Sequence, residues 1–411
     1  MKPRFIIPGI ATAIIAVSIG VAIATHHSQP QTGSTCEPVA AGAATTVNSA
    51  IGVHDYAAIV EANTANSSLP SLSSDAQAAV AAALKNGTDG KQHVAIISAT
   101  ATPQVVPVDL MPLSPTGTEA GNAEIVNNNL ELINMALTRP PASKGMSLFE
   151  GIGLARDWLT SQGAASPIII TVGSGLDDTG PFTTTGGLLG NDPDQIANNI
   201  AAANPSLNLA GTTVLAQSLG YTAPPQQSAT DAQRQLITDA WKTTLSKLGA
   251  NLITDPMPAP TCSVTTDLPV GTTDFPAPKI DCTQQTLDMS MPSVLLFAGD
   301  KADLRDNADE ALTPLLTAMT NNPQAQLALT GHTALVPNEG QDHGLGLSVE
   351  RSQAVAAWLE NHGIAASRIT ATGVGDSQAT CQLNPDGSQA PCAGNDRTVD
   401  AHLTGVTSCP K

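Results

Sequence analysis

Pro167-Ile168-Ile169-Ile170-Thr171-Val172 is an uncharged run made almost wholly of β-branched residues. A strand with apolar side chains on both faces must be covered on both faces, as in a parallel sheet between helices. Upstream, Leu148, Ile152, Ala155 and Leu159 recur at helical spacing behind Ser147, a candidate N-cap, and Gly163 ends that helix. Further out, residues 94–98 and 212–216 predict strands, and residues 231–248 predict another helix. Strand–helix alternation of this kind predicts a doubly wound, Rossmann-like α/β sheet over residues 36–253.

The chain has 411 residues, more than one compact core usually organises, so a second folded domain is expected. Aromatic residues are only 2% of it, which suits cores of small aliphatic side chains in layered α/β architecture. The formal charge of −18 argues against nucleic acid as a partner, because that affinity rests on Lys and Arg neutralising phosphates. Solubility accounts for it. No G-x-S-x-G, H-E-x-x-H or P-loop motif is present. Neither an enzyme nor a cofactor is expected.

Lys2 and Arg4 precede an uncharged stretch, residues 5–24, and the chain turns polar at Thr25, His26 and His27. Such a stretch can cross a hydrocarbon core of about 30 Å. Its positive flank predicts a cytoplasmic N-terminus and an extracytoplasmic body. Residues 1–27 therefore read as a single-pass membrane anchor, with a cleavable signal sequence ending near Ala22-Ile23-Ala24 as the rival. Cys36 lacks the upstream leucine of a lipobox. The six cysteines are even in number without C-x-x-C spacing, which fits disulfides in an exported body. Cys381 and Cys392 bracket a Pro/Gly-containing loop and are the expected pair. Cys36 with Cys262 and Cys282 with Cys409 would close the two domains, and Cys262 with Cys282 is the alternative. Residues 254–292 are rich in Pro and Thr and predict a semi-rigid linker.

Three stretches of the middle region resemble a von Willebrand factor A (VWA) domain. They are Ile97-Ser98-Ala99-Thr100-Ala101-Thr102, placed as that family's first strand end; Gly145-Met146-Ser147, similar to its threonine loop; and Ile170-Thr171-Val172-Gly173-Ser174-Gly175, similar to its second acidic strand end. In that family the three loops hold a divalent metal, which needs oxygen ligands with negative charge. Here Ser98 and Ser174 stand where aspartates are expected, and Thr100, Thr102 and Ser147 supply only neutral hydroxyls. No metal site is therefore expected. Asp177 and Asp178 lie just downstream and read as turn caps, with substitution for the missing metal ligands as the alternative. The resemblance implies a scaffold for an unknown envelope protein.

The strongest resemblance covers residues 293–403. It runs through a strand at 294–297, a helix at 308–319 ended by Asn321-Asn322-Pro323, a strand at 326–330 and Gly331-His332-Thr333. Leu347-Ser348, Arg351, Val355-Ala356-Ala357-Trp358-Leu359, Gly363-Ile364, Arg368-Ile369, Gly373-Val374-Gly375, Asn395, Arg397 and Val399 follow in order. This ordered set resembles the OmpA/Pal/MotB C-terminal domain, an α+β fold, and implies noncovalent binding of the peptidoglycan stem peptide, chiefly its diamino acid. Thr333, Ser348, Arg351 and Arg397 are the site residues it implies. Ser348 is placed as the cap of a helix whose first turn carries Arg351, where a bound carboxylate would meet backbone N–H groups and a bidentate guanidinium. The alternative for Arg351 is an ion pair with Glu350 or Asp396. Thr398 replaces the family's second closing arginine. Ala334 replaces the aspartate expected to hold the ligand's ammonium, and Gly344 replaces a frequent asparagine. Glu339 and Asp342 in a longer loop are the alternative carboxylates, and His332 reads as a strand-end residue. An ion-driven stator of the MotB type would need an ionisable residue in the membrane segment, and residues 5–24 have none. The expectation is a noncatalytic envelope protein, anchored in the membrane and associating with peptidoglycan; the alternative is a structural protein whose peptidoglycan and metal sites are both degenerate.

Overall fold

The computed structural model describes residues 51–62, 70–255, 266–283, 285–337, 343–385 and 387–409. The predicted membrane anchor, Cys36, Cys262, Glu339 and Asp342 lie outside the described residues. Among the described residues, no helix is long and apolar enough to cross a membrane.

In the first part of the chain β1 (Tyr56–Glu61), α1 (Ser74–Lys85), β2 (Val94–Ser98), β3 (Gln104–Val106) and α2 (Glu119–Leu137) come first. They are followed by α3 (Leu148–Gln162), β4 (Pro167–Val172), α4 (Pro193–Ala203), β5 (Thr213–Gln217), α5 (Asp231–Lys247) and β6 (Asn251–Asp255). The sheet order is β3-β2-β1-β4-β5-β6, parallel except for the β3 edge, so the chain winds outward in both directions from β1 and β4. Both central strands are buried because helices cover both faces: α1 and α2 on one side, α3, α4 and α5 on the other. Ser147 caps α3 by accepting from Glu150 N, and Gly163 ends it in the left-handed conformation, φ 73°.

Three strands of this sheet, β1, β3 and β6, escaped the sequence reading. Tyr-Ala-Ala-Ile-Val-Glu is too alanine-rich to signal a strand, yet it is central β1. The stretch ending at Ser98 is therefore the second strand of the sheet, not the first. The loops at this end of the sheet are closed by their own hydrogen bonds. Thr100 Oγ1 donates to Thr102 O, Asp178 accepts from Met146 N and Gly271 N, and Asp177 accepts from Leu148 N and Phe149 N at 2.8 and 2.9 Å. Both aspartates thus act as caps. Burial pushes the Asp177 carboxyl up to about 8, against the two amide hydrogen bonds, which favour the ionised form. A carboxyl raised on folding holds a proton that the unfolded chain has released, so its contribution is complete below the unfolded value of 3.8 and lost as pH rises towards 8. The melting temperature should fall across that window, and less steeply in Asp177→Asn; parallel profiles for the two proteins would refute the assignment.

The second sheet contains β7 (Lys279–Cys282), β8 (Thr286–Pro292), β9 (Gln326–Gly331), β10 (Ile369–Gly373) and β11 (Thr398–Thr404), ordered β10-β9-β11-β8-β7. Its helices are α6 (Ser293–Leu296), α7 (Asp309–Asn321) and α8 (His343–Asn361). Residues 294–297 are not a strand: Ser293–Leu296 is a short buried helix, and the strand precedes it as β8. Leu287, Met289 and Met291 alternate inward along β8, whereas a short continuous apolar run does not distinguish strand from buried helix. Two sheet strands therefore fall inside the stretch whose prolines predict a linker. Among the described residues before β7, Thr273 N donates to Gln226 Oε1 and Gln233 Nε2 donates to Pro276 O.

One hydrophobic core runs from α3 and α5 through α6 into the second sheet, α7 and α8. Arg305 pairs with Asp239 at 2.8 Å, and Ala232 N donates to Glu310 Oε2 at 2.9 Å across the same boundary. Cys282 is disulfide-bonded to Cys409, and Cys381 to Cys392, with Cα separations of 5.9 and 5.7 Å.

Candidate ligand-binding site

Gly331 ends β9 and Gly373 ends β10, paired in parallel register, and α8 crosses directly above both. A Cβ on Gly331 would lie 1.9 Å from Ser348 O, and one on Gly373 would lie 2.3 Å from Ser348 Oγ. The glycines are required because the helix backbone touches the strand ends. Ser348 is fully buried in this contact, donating to Leu345 O and accepting from Gly375 N at 2.8 and 3.0 Å. It is not an N-cap: α8 begins at His343, so Arg351 lies about two turns into the helix, away from the first-turn dipole. In its first turn Gly344 packs so close to Thr333 that a Cβ there would meet Thr333 Oγ1 at 2.2 Å.

Thr333, Arg351 and Arg397 come together on a cavity of about 350 Å³, with Ala334, Asp300, Glu350 and Asp376 also lining it. Ser348 does not line it. Arg351 is 4% exposed. Its Nε and Nη2 donate to Lys301 O and Gly299 O at 3.0 and 2.6 Å, and its guanidinium lies 5.3 Å from the Phe297 ring centroid. Main-chain carbonyls, rather than Glu350 or Asp396, hold it. Burial pushes Arg351 down to about 10, with Asp300 opposing and Arg397 reinforcing the shift. Burial likewise lowers Arg397, against Asp300, Asp192 and Asp396. Two desolvated guanidinium groups thus face one cavity, an arrangement that an anion would relieve.

The Cys381–Cys392 loop sets Arg397. Gln389, inside the loop, accepts from Arg397 Nη2 at 2.8 Å. Asp396, next to Arg397, accepts from Thr380 N, Thr380 Oγ1 and Cys381 N. Ala334 is 2% exposed and packs with Cys381 and Ala393, so a position where the resemblance implies a carboxylate is apolar core here. His332 Nε2 lies 3.3 Å from Asp400 Oδ2, away from the cavity lining. Burial tends to raise Asp400, but hydrogen bonds with His332, Ser290 and Thr398 outweigh it and hold the carboxyl below its ordinary value.

Asp300, Gln389 and Asp192 escaped the sequence reading. Asp300 sits in a loop without a motif, and Asp192 belongs to the first sheet's α4, whose proximity to the arginines only folding creates.

The OmpA family model matches residues 296–390. Outer membrane protein A of Atlantibacter hermannii is 29% identical over 129 residues, 30% of this chain and 52% of that protein. Outer membrane protein A of Citrobacter freundii is 28% identical over 145 residues, 34% of this chain and 58% of that protein. The chain thus spans about half the length of these relatives. Among solved structures, the cell wall anchor of the T6SS from Pseudomonas aeruginosa is similar at 22% identity and a TM-score of 0.27, covering 31% of this chain and 87% of that one. Residues 296–390, which carry Thr333, Ser348 and Arg351, form an OmpA-like domain.

Proposed function

We propose that this is a noncatalytic cell-envelope protein that associates with peptidoglycan through its OmpA-like domain, with Arg351 and Arg397 as the carboxylate-binding pair. The observation that carries this reading is the pair of desolvated guanidinium groups on one cavity, beside a Thr333 hydroxyl that is buried and has no partner among the described residues. A carboxylate of the stem peptide would neutralise the pair and meet planar N–H donors. The uncharged residues 5–24 anchor the chain in the membrane, with its body on the cell-wall side. The six-stranded sheet, doubly wound with an antiparallel edge strand, supports a VWA-like scaffold for an envelope partner, with loops closed by hydrogen bonds to Asp177 and Asp178.

A second reading, a structural envelope protein with both sites degenerate, is favoured by the apolar packing of Ala334. Sedimentation of the full-length chain with insoluble peptidoglycan separates the two. Wild type should pellet with the polymer. Arg397→Gln should weaken retention on the order of tenfold, about 1.4 kcal/mol, with little change in melting temperature because Arg397 is held by side chains alone. Wild type left in the supernatant would favour the degenerate reading.

A further inference from the structure

The arginine cavity adjoins a second chamber of about 420 Å³ that shares Asp300, Val336, Arg351 and Arg397 with it. The far wall of this chamber belongs to the first sheet: Gly190, Asp192, Asp194, Gln195, Asn198 and Asn199, at and after the start of α4. The seam is tight. A Cβ on Gly394 would lie 2.3 Å from Gly190 O, Asn191 Nδ2 donates to Pro391 O at 2.9 Å, and Arg397 Nη1 reaches Asn191 Oδ1 at 3.4 Å. Together with the Arg305–Asp239 pair and the continuous core, these contacts make the wall a fixed part of the site.

Three residues lining the two chambers, Ser293, Thr333 and Gln195, each carry a buried polar atom, Oγ, Oγ1 and Oε1, without a partner among the described residues. Ser293 is 3% exposed and Thr333 is 6% exposed, so these hydroxyls are cut off from bulk water as well. Buried polar groups are normally satisfied, and unpartnered ones on residues around a cavity that holds two arginines point to a polar ligand there. The charge pattern gives its chemistry. Two cations occupy the middle, and Asp192 and Asp300 lie near enough to act on both. Asp192 Oδ1 caps α4 by accepting from Asp194 N at 2.9 Å. Its Oδ2 lies 3.8 Å from the position of a Cβ on Gly299, the residue whose carbonyl takes the Arg351 Nη2 hydrogen bond.

We infer that α4 of the first sheet completes the binding site: Asp192, with Asp300, supplies the anionic wall missing at Ala334, and the adjoining chambers take a zwitterionic amino-acid ligand. Its carboxylate sits on Arg351 and Arg397 and its ammonium on the Asp192–Asp300 side. This rests on the reading of the arginine pair as a ligand site. If the two aspartates served only to balance the arginines, a ligand without an ammonium would bind equally well.

Two probes separate these cases in calorimetric titrations of the full-length chain: meso-diaminopimelate, and pimelate, which keeps both carboxylates and lacks both amines. Wild type should prefer diaminopimelate on the order of tenfold or more. Asp192→Asn keeps an N-cap of equal quality, so α4 persists. It should erase most of that preference while leaving pimelate binding unchanged or tighter. Arg397→Gln should weaken both probes. If wild type binds both probes and Asp192→Asn retains the preference, the role of α4 is refuted while the arginine reading stands. Binding of neither probe by wild type would overturn both. Should Asp192→Asn melt earlier than wild type, Asp300→Asn, on an exposed loop, carries the same expectation.

Discussion

Gly331→Ala should cost more than about 3 kcal/mol of stability and abolish retention on peptidoglycan, because the added methyl group has no space. Its Cβ would lie 1.9 Å from the Ser348 carbonyl oxygen and 2.7 Å from the carbonyl carbon, both of them backbone atoms of α8. No rotamer change relieves such a contact, so α8 must retreat by about 1 Å or more. Arg351 sits one turn beyond Ser348 and would move with it, breaking its hydrogen bonds to Gly299 O and Lys301 O. Gly346→Ala is the control, since Gly346 lies in the same helix with nothing within 4 Å of its Cβ position. That substitution should be neutral or stabilise by up to about 1 kcal/mol through helix propensity. Chemical denaturation and sedimentation of both variants provide the comparison; near-wild-type behaviour of Gly331→Ala would show that α8 is not seated as described.

Trp241→Ala should destabilise the protein by about 3–5 kcal/mol. Trp241 is 1% exposed on α5, stacks on Phe182 with ring centroids 4.0 Å apart, and donates from Nε1 to Gly175 O at 2.9 Å. Truncation therefore leaves a large cavity and a buried carbonyl without its donor. In a chain with only 2% aromatic residues, few other side chains are bulky enough to fill that space. Trp241→Phe should recover the stacking but not the hydrogen bond, falling between wild type and the alanine variant. A Trp241→Ala loss below about 1 kcal/mol would mean that the neighbouring helices collapse into the cavity.

Three of the first sheet's six strands and two of its five helices were legible from local pattern. The runs at 167–172, 94–98 and 212–216 are strands, and the Ser147 cap, the Gly163 stop and the 231–248 periodicity give their helices to within a residue or two. β1 was not, because alanine gives no strand signal and its burial depends on flanking strands far along the chain. Residues 294–297 misled for the reason that four consecutive apolar residues suit a buried helix as well as a strand. In the site, Thr333, Ser348, Arg351 and Arg397 could be named from an ordered motif, and three of them do line one cavity. Ser348 was assigned the wrong task, since a serine before a helical run looks like a cap whether or not the helix has already begun.

By itself, the sequence determined the elements with a strong local pattern, the OmpA-like character of residues 296–390 and the two arginines. These depend on local period, composition and short-range order, which survive in one dimension. Only the tertiary structure decided that Ser348 is pinned between two glycines, that Ala334 is core, and that α4 stands beside the arginines. Each of these is a contact between segments distant in the chain, fixed by which backbones can approach closely and which groups lose water when they do.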